Sequence, residues 1–467
     1  MDVGGDPRVP KGTQQNGVEF AAEHGETVHR NGHTISEVTI RAPVEFGGLN
    51  GSACSLQNAQ SLGDDVAPDT VPWKDGNAFF SGHGGKGITL QAWIFAQVSG
   101  PVVTSKLRYN RIEGMPTTLE KAFGGRAHMG QYAGVATPAH FGDVRAEYDA
   151  LRHSAAIFDL NWRAKLALAG GDRVRWLNGM VTNNIRDLAA GCGVYAFLLN
   201  PQGKILGDMF AYNLGDSIVV DTDRSQREKI VGTFDHYIIM DDVEVADLDE
   251  RYAAFGVAGP EAKSILEKAG FAVPTLQSLQ IADVEWHGHS IKIVRSENQP
   301  DAEFELWFPP EIGASLWEAI ANAGAQPVGS EALELLRITR GIPRYGQDIR
   351  ERDLPQETEQ QRALNFNKGC YVGQEIVERI RSRGSVHRKF TGFLVESSVL
   401  TASAKIEADG KEVGEITSSA ALPTSESETV VALGYIRREI VALKKDLHVG
   451  GTRIAAVDLP FADRLSA

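Results

Sequence analysis

The spacing of apolar residues along this chain changes more than once, and each change predicts a different kind of element. Val144–His153 (VRAEYDALRH) places them at helical intervals, which predicts an amphipathic helix. Arg224–Tyr237, Pro260–Ala269 and Pro310–Ala323 carry the same period. Asp172 stands before a segment running through Val181, where its carboxylate is placed to accept the free amides of a helix start. Between these lie short apolar or alternating runs that predict strands: Ile157–Leu160, Ala164–Ala169, Val194–Leu199, Met209–Tyr212, Ser217–Asp221 and Glu244–Asp247. Turns are expected at Pro201–Gly203 and Gly215–Asp216. Strands and helices are mixed without a regular strand–helix–strand rhythm, so an α+β core is expected. After Phe390 the helical period stops. Phe390–Val395, Lys405–Ala408, Glu412–Ser418, Val430–Tyr435 and Ile454–Val457 are short runs separated by Gly, Asp, Ser and Pro, the pattern of a small β-barrel.

Residues 1–114 follow neither pattern. They are rich in Gly, Asn and His, with strand-like alternation at Thr34–Ile40 and Ile88–Val98. The run GNAFFSGHGGKGITLQAWIF, with VVTSK after it, resembles strands of a concanavalin-like jelly roll. A complete jelly roll takes about eight strands, so this stretch is expected to be a partial or fused β module, or a stretch ahead of the true start. Met115 reads as a natural start. The expected organisation is an irregular or β-rich N-terminal extension (1–114), an α+β core (115–388) and a C-terminal β-barrel (389–467).

Composition narrows the function. A length of 467 residues suits about three domains. The formal charge of -14 argues against general capture of DNA, and direct tRNA binding would call for a broad basic surface. Cys54, Cys192 and Cys370 are dispersed and form no C-x-x-C pair, which speaks against a disulfide framework or a zinc ribbon and for a reducing, cytoplasmic setting. The N-terminal residues give no support for a signal peptide, and the sequence holds no apolar run of membrane-spanning length. Gly82, Gly84 and Gly87 satisfy G-x-G-x-x-G, but a strand-like segment follows where a dinucleotide site needs a helix. His24, His29 and His33 lack metal-ligand spacing, and no metal site is expected.

The sharpest motif is Lys368–Glu375 (KGCYVGQE), followed by IVERIRSRG. It sets the Cys370 thiol between a Lys and several Arg, and positive neighbours favour thiolate, so Cys370 could be a nucleophile or a soft ligand. It could equally be a small apolar residue packed in a turn. Arg379, Arg381, Arg383, His387, Arg388 and Lys389 form a basic run that could hold an anionic tail, a phosphate backbone or only water.

KGCYVGQE resembles the signature of the YgfZ-like folate-binding proteins, within the aminomethyltransferase (glycine cleavage T-protein) superfamily. Leu354–Glu357 (LPQE), Leu364–Lys368 (LNFNK), Ala156–Leu160 (AIFDL), Leu177–Asn184 (LNGMVTNN), Val194–Tyr212 (VYAFLLNPQGKILGDMFAY), Gly341–Ile349 (GIPRYGQDI), Asp409–Ser418 (DGKEVGEITS) and Val457–Phe461 (VDLPF) carry the likeness over roughly residues 125–463. The resemblance implies an aminomethyltransferase-like folate-binding core, tetrahydrofolate as cofactor, and a pterin-contacting carboxylate at Asp208. T-proteins commonly have two adjacent Asp here, and this chain has Gly207–Asp208. It also implies pterin contact at Glu305 and a ligand contact or ion pair at Arg337. Tyr345, Tyr371, Gln374 and Arg379 are further candidates to line the ligand, each with packing or solvation as the alternative.

The function implied is tetrahydrofolate binding in support of iron–sulfur cluster assembly or repair in client proteins, with an indirect link to tRNA modification. Cys370 and Asp208 would carry the chemistry, with folate and iron–sulfur client or assembly proteins as partners. Two alternatives stand beside it: a folate-dependent aminomethyltransferase, and a non-catalytic binding or adaptor protein resting on residues 1–114.

Overall fold

The computed structural model divides the chain into two units, Met1–Arg111 and Ile112–Ala467. Described in full are residues 123, 125–297, 303–382, 384, 386–423 and 428–461, together with the strand backbones of the first unit. Those strands are β1 (Glu23–Arg30), β2 (His33–Ile40), β3 (Val71–Pro72), β4 (Ala78–His83) and β5 (Thr89–Phe95). They form one antiparallel sheet in the order β1-β2-β5-β4-β3. The expected strands at Thr34–Ile40 and Ile88–Val98 fall on β2 and β5.

The second unit begins with a hairpin, β6 (His128–Tyr132) and β7 (Val135–His140), and the helix α1 (Val144–His153), which has the bounds that its apolar period predicts. Asp143 caps it, with its carboxylate accepting from the Arg145 amide. β8 (Ala156–Asp159), β9 (Arg163–Ala169) and α2 (Arg173–Met180) follow. Asp172 stands at the start of α2 as expected but does not cap it. Its side chain accepts instead from the Asp242 amide and pairs with Arg175.

Next come β10 (Cys192–Leu199), β11 (Ile205–Asn213), β12 (Ile218–Asp223), α3 (Arg227–Tyr237), β13 (Glu244–Asp247), β14 (Ala253–Ala258), α4 (Ala262–Lys268), β15 (Ile281–Trp286), β16 (His289–Arg295), β17 (Phe304–Phe308), α5 (Gly313–Asn322), β18 (Gln326–Pro327) and α6 (Ser330–Thr339). Cys192 opens β10 and does not sit in the preceding turn.

Two sheets form, in the orders β10-β11-β12-β9-β13 and β15-β16-β17-β14-β8-β18. One core lies between them, joining Tyr212 and Val219 of the first to Phe158, Ala254, Val294 and Trp307 of the second. A second core packs α4 and α5 on the other face of the second sheet, through Ile157, Phe255, Val257, Leu306, Ile265 and Leu316. Alternate residues of β14 enter the two cores, so all six are buried and AAFGVA shows no alternation. Sequence pattern alone gave no strand there for that reason.

The C-terminal part is a closed six-stranded barrel of β19 (Arg388–Val395), β20 (Lys405–Ala408), β21 (Lys411–Pro423), β22 (Glu428–Arg437), β23 (Leu447–Val449) and β24 (Thr452–Val457). It confirms the expected barrel and adds β23, whose short run carries too little pattern to read.

α6 joins core to barrel. Ala332 and Leu336 enter the core between the sheets, while Ile338 enters the barrel core with Phe390, Leu433 and Phe461. At this seam Arg337 is buried and bonded on every side. It donates to Asp348 at 2.6 Å, to both oxygens of Glu334, to the Ile342 carbonyl and to Ser418. Asp348 in turn accepts from Ser418 and from the Arg344 amide. Burial opposes the guanidinium charge, but Asp348 and Glu334 outweigh it and hold the group protonated. Arg337 is therefore the ion-pair member of the two roles open to it, and it has no ligand contact to make from this seam.

Replacing Arg337 with Met strands two carboxylates at this seam. Urea unfolding is expected to show a loss of about 3–5 kcal/mol, the usual cost of breaking a buried pair. The double change Arg337→Met, Asp348→Leu should recover part of it. Equal stability of wild type and the single variant would refute the assignment.

Candidate functional site

The site is built by strand register. Phe210 of β11, Asp221 of β12 and Lys165 of β9 stand opposite one another across the ladder, Asp223 stands opposite Arg163 in the next row, and Asp208 lies two residues before Phe210 on the same face. Directly opposed residues share a face, so three carboxylates and two cations project from the first sheet toward the second. Arg163 donates to Asp221 and Asp223 at 2.9 Å each, and Lys165 reaches Asp221 at 3.4 Å. From β17 of the second sheet, Glu305 and Trp307 complete the group. The Lys165 amine lies 4.7 Å from the Trp307 ring centroid, and the Trp307 indole donates to Glu305. Burial raises the Glu305 carboxyl above its ordinary range, and Asp221 adds to it.

Asp208 is held at both oxygens. Tyr195 of β10 donates its hydroxyl at 2.6 Å, and Gln226 donates its amide at 2.7 Å while accepting from the Asp208 backbone N–H. Gly207 makes this arrangement possible, because a Cβ there would stand 3.0 Å from the Gln226 amide oxygen. Burial and the neighbouring Asp208 push the Tyr195 hydroxyl well above its ordinary value, so it stays a proton donor. The Arg362 guanidinium covers the Tyr195 ring at 4.3 Å and pairs with Glu297. Arg362 also lines a groove of about 760 Å³ along the barrel seam, together with Arg152, Arg340, Lys389 and Leu459.

Among the residues singled out from sequence, Asp208 and Glu305 face the same charged row. Tyr345 stands beside it. Its hydroxyl donates to the Leu206 carbonyl at 2.6 Å and accepts from Lys229 at 2.9 Å. The KGCYVGQE segment lies elsewhere, at the turn of the β10–β11 hairpin. Gly373 (φ 81°) starts the helix α7 (Gln374–Arg383), and a Cβ there would meet the Asn200 carbonyl at 2.5 Å. Tyr371 is buried in a cluster with Phe197, Leu199 and Val377, so it packs, and burial pushes its hydroxyl up to about 12. Cys370 is exposed, and no hydrogen bond to its thiol is found among the described residues. It is not the packed apolar residue of the alternative reading.

Among the described residues, the positive neighbours expected around that thiol are occupied elsewhere. Lys368 turns inward, donating to the Asn178 and Val181 carbonyls. Arg379 pairs with Glu375, and Arg381 lies over the Phe366 ring at 4.4 Å. Gln374 begins α7 without a side-chain bond to the charged row. The basic run is not one patch either, because Arg388 is tied to Asp353 and Glu357.

Asp221, Asp223, Tyr195, Gln226, Arg163 and Arg362 were not singled out from sequence. One signal was available: IVVDTD puts two acids at alternate positions of an otherwise apolar strand, and all six residues are buried.

Burial lowers the Lys368 amine to about 7, with Arg186 adding to the effect. Between that value and its unfolded value the unfolded chain binds more protons, so stability must rise with pH from about 7 upward. Unfolding free energies at pH 7.5 and 9.5 should show this rise, and Lys368→Met should flatten it. An unchanged slope in the variant would exclude Lys368 as its source.

No helix among the described residues is long and apolar enough to cross a membrane. The GCVT N-terminal domain family matches residues 120–368. The aminomethyltransferase of Rubrobacter xylanophilus is 28% identical over 318 residues, covering 67% of this chain and 84% of that protein. That of Lysinibacillus sphaericus is 25% identical over 343 residues, covering 71% and 93%. The crystal structure of glycine cleavage system aminomethyltransferase T from Bartonella henselae superposes with a TM-score of 0.66 at 22% identity, covering 73% of this chain and 95% of that one. The likeness in fold spans core and barrel, and the match at residues 120–368 takes in Asp208, Asp223, Glu305 and the Tyr195–Arg362 contact: the chain belongs to the GCVT family.

Proposed function

We propose that this protein binds tetrahydrofolate between its two sheets, with the pterin against Asp208. The observation that carries this reading is the fixed Asp208 carboxylate. Tyr195 and Gln226 each occupy one of its oxygens and leave lone pairs for a ligand's ring N–H groups. The surrounding donor set suits that ligand: Phe210 and Tyr195 give the row an aromatic wall, and its acid-rich character suits N–H donors and positive charge. Arg362 and the groove beyond it suit the anionic glutamate tail. When bound, tetrahydrofolate supplies a nitrogen that can carry a one-carbon unit. The protein's part is to orient the ring and to stabilise charge developing there.

The finer reading is that of a YgfZ-like protein supporting assembly or repair of iron–sulfur clusters in client proteins. It rests on KGCYVGQE and on the exposure of Cys370, which leaves the thiol free to meet a partner protein, sulfur or an iron centre as cargo. Gly373 starts α7 against Asn200, while Asp208 lies five residues beyond Gly203. At roughly 3.3 Å per residue the thiol loop and the carboxylate are separated along the strand, so Cys370 acts at the protein's outer face. Aminomethyl transfer is the second reading, favoured by the names of the relatives and opposed by Gly207 in place of a second adjacent carboxylate.

Calorimetry with tetrahydrofolate should show binding to wild type and at least about a tenfold loss for Asp208→Asn, as expected for a charge-assisted hydrogen bond. Absence of binding to wild type would remove the proposal. Cys370→Ala should keep folate affinity and fail to restore iron–sulfur enzyme activity in cells lacking the protein, and full restoration would count against the thiol. Turnover of an aminomethylated carrier protein with tetrahydrofolate would establish the second reading in its place.

A further inference from the structure

We infer that Asp223 is a second ligand-binding carboxylate of this pocket, accepting a ring N–H of the bound reduced pterin alongside Asp208. The inference rests on the folate reading and deepens it.

Register supplies the geometry. Phe210 and Asp221 are directly opposed on adjacent antiparallel strands, and Asp208 and Asp223 each lie two residues further along, so their side chains leave the sheet on the same face. The Thr222 hydroxyl bonds the Asp208 carbonyl and locks the two strands at this point. Asp223 is 7% exposed, and only Oδ1 is engaged, by Arg163 at 2.9 Å. No donor reaches Oδ2 among the described residues. The Asp223 side chain keeps 9% exposure, and Oδ2 is not among the fully buried unpaired atoms, so this oxygen can be reached by a donor from outside the protein. A ligand seated on Asp208 would bring N–H donors to it. Asp221, by contrast, has both oxygens taken, by Arg163 and Lys165, and is a structural counter-charge.

Burial pushes the Asp223 carboxyl up to about 6, with Asp208 and Asp221 adding to the rise and Arg163 and Arg344 opposing it. The groups facing it are therefore Arg163 from β9, Asp208 from β11, Asp221 from its own strand and Arg344 from the loop after α6. Tyr195, bonded to Asp208, remains a neutral donor. An ionised carboxylate accepts hydrogen bonds more strongly than a protonated one. Ligand donors should thus draw Asp223 into its ionised form, and binding near pH 6 should release a proton.

The test is anaerobic calorimetry with tetrahydrofolate from pH 5.5 to 7.5, on wild type, Asp223→Asn and Asp208→Asn, with melting temperatures as the check on folding. Wild type is expected to bind roughly threefold more tightly at pH 7.5 than at pH 5.5, the effect over this range of a shift of about one pKa unit from about 6. Asp223→Asn keeps an acceptor for Arg163. It should lose this pH dependence and bind roughly tenfold more weakly than wild type at pH 7.5, the gap narrowing to roughly threefold at pH 5.5. A folded Asp223→Asn protein with wild-type affinity and pH profile would overturn this inference and leave the folate reading standing. Failure of wild type to bind would overturn both. Should Asp223→Asn not fold, wild type alone decides. Titrations at pH 6 in two buffers of different ionisation enthalpy should report net proton release, and none would overturn the inference.

Discussion

The buried pairing of Arg337 with Asp348 and Glu334 is the constraint on which the core's relation to the barrel depends. One guanidinium joins helix α6, the loop carrying Tyr345 and Asp348, and Ser418 of the barrel strand β21. Its planar fork of donors is what allows four partners at once, which a lysine ammonium could not meet with the same geometry. The loop fixed in this way carries Tyr345, whose hydroxyl bonds the Leu206 carbonyl two residues before Asp208. Order at the seam is thus passed on to the strand that bears the site.

The site follows the same physical rule of charges buried only in company. Asp208, Asp221, Asp223 and Glu305 gather where two sheets face each other, offset by Arg163 and Lys165. Each member is spaced by strand register, so the constellation is rigid before any ligand arrives. Such preorganisation lowers the ordering cost of binding. Burial, with neighbouring carboxylates adding to it, keeps Asp223 and Glu305 easier to protonate than free carboxyls.

The cysteine loop meets this machinery through Tyr371, which shares a packed cluster with Tyr195. Lys368, Tyr371 and Gly373 anchor it by burial, ring packing and a left-handed turn, and Cys370 is left outside. The residues that make the motif recognisable are mostly those that hold its backbone. The thiol is the part presented outward, which suits chemistry with another molecule more than chemistry inside the pocket.

Sequence alone determined the α+β core, the barrel and helix α1 to its residue bounds, because these rest on local periodicity, and it singled out Asp208 as a candidate through a contiguous motif. Tertiary structure decided the rest. β14 is apolar on both faces, since each face meets a different core, so it carried no alternation to read. Arg337 was legible as important, but only the seam showed that it is an ion-pair hub. The basic run after Cys370 looked like one patch, yet a helix and a strand carry its members to separate partners. Asp223, fifteen residues from Asp208 in the chain, becomes its neighbour only through the β11–β12 register. Long-range pairing of this kind depends on which strands meet, and no local window of sequence encodes that.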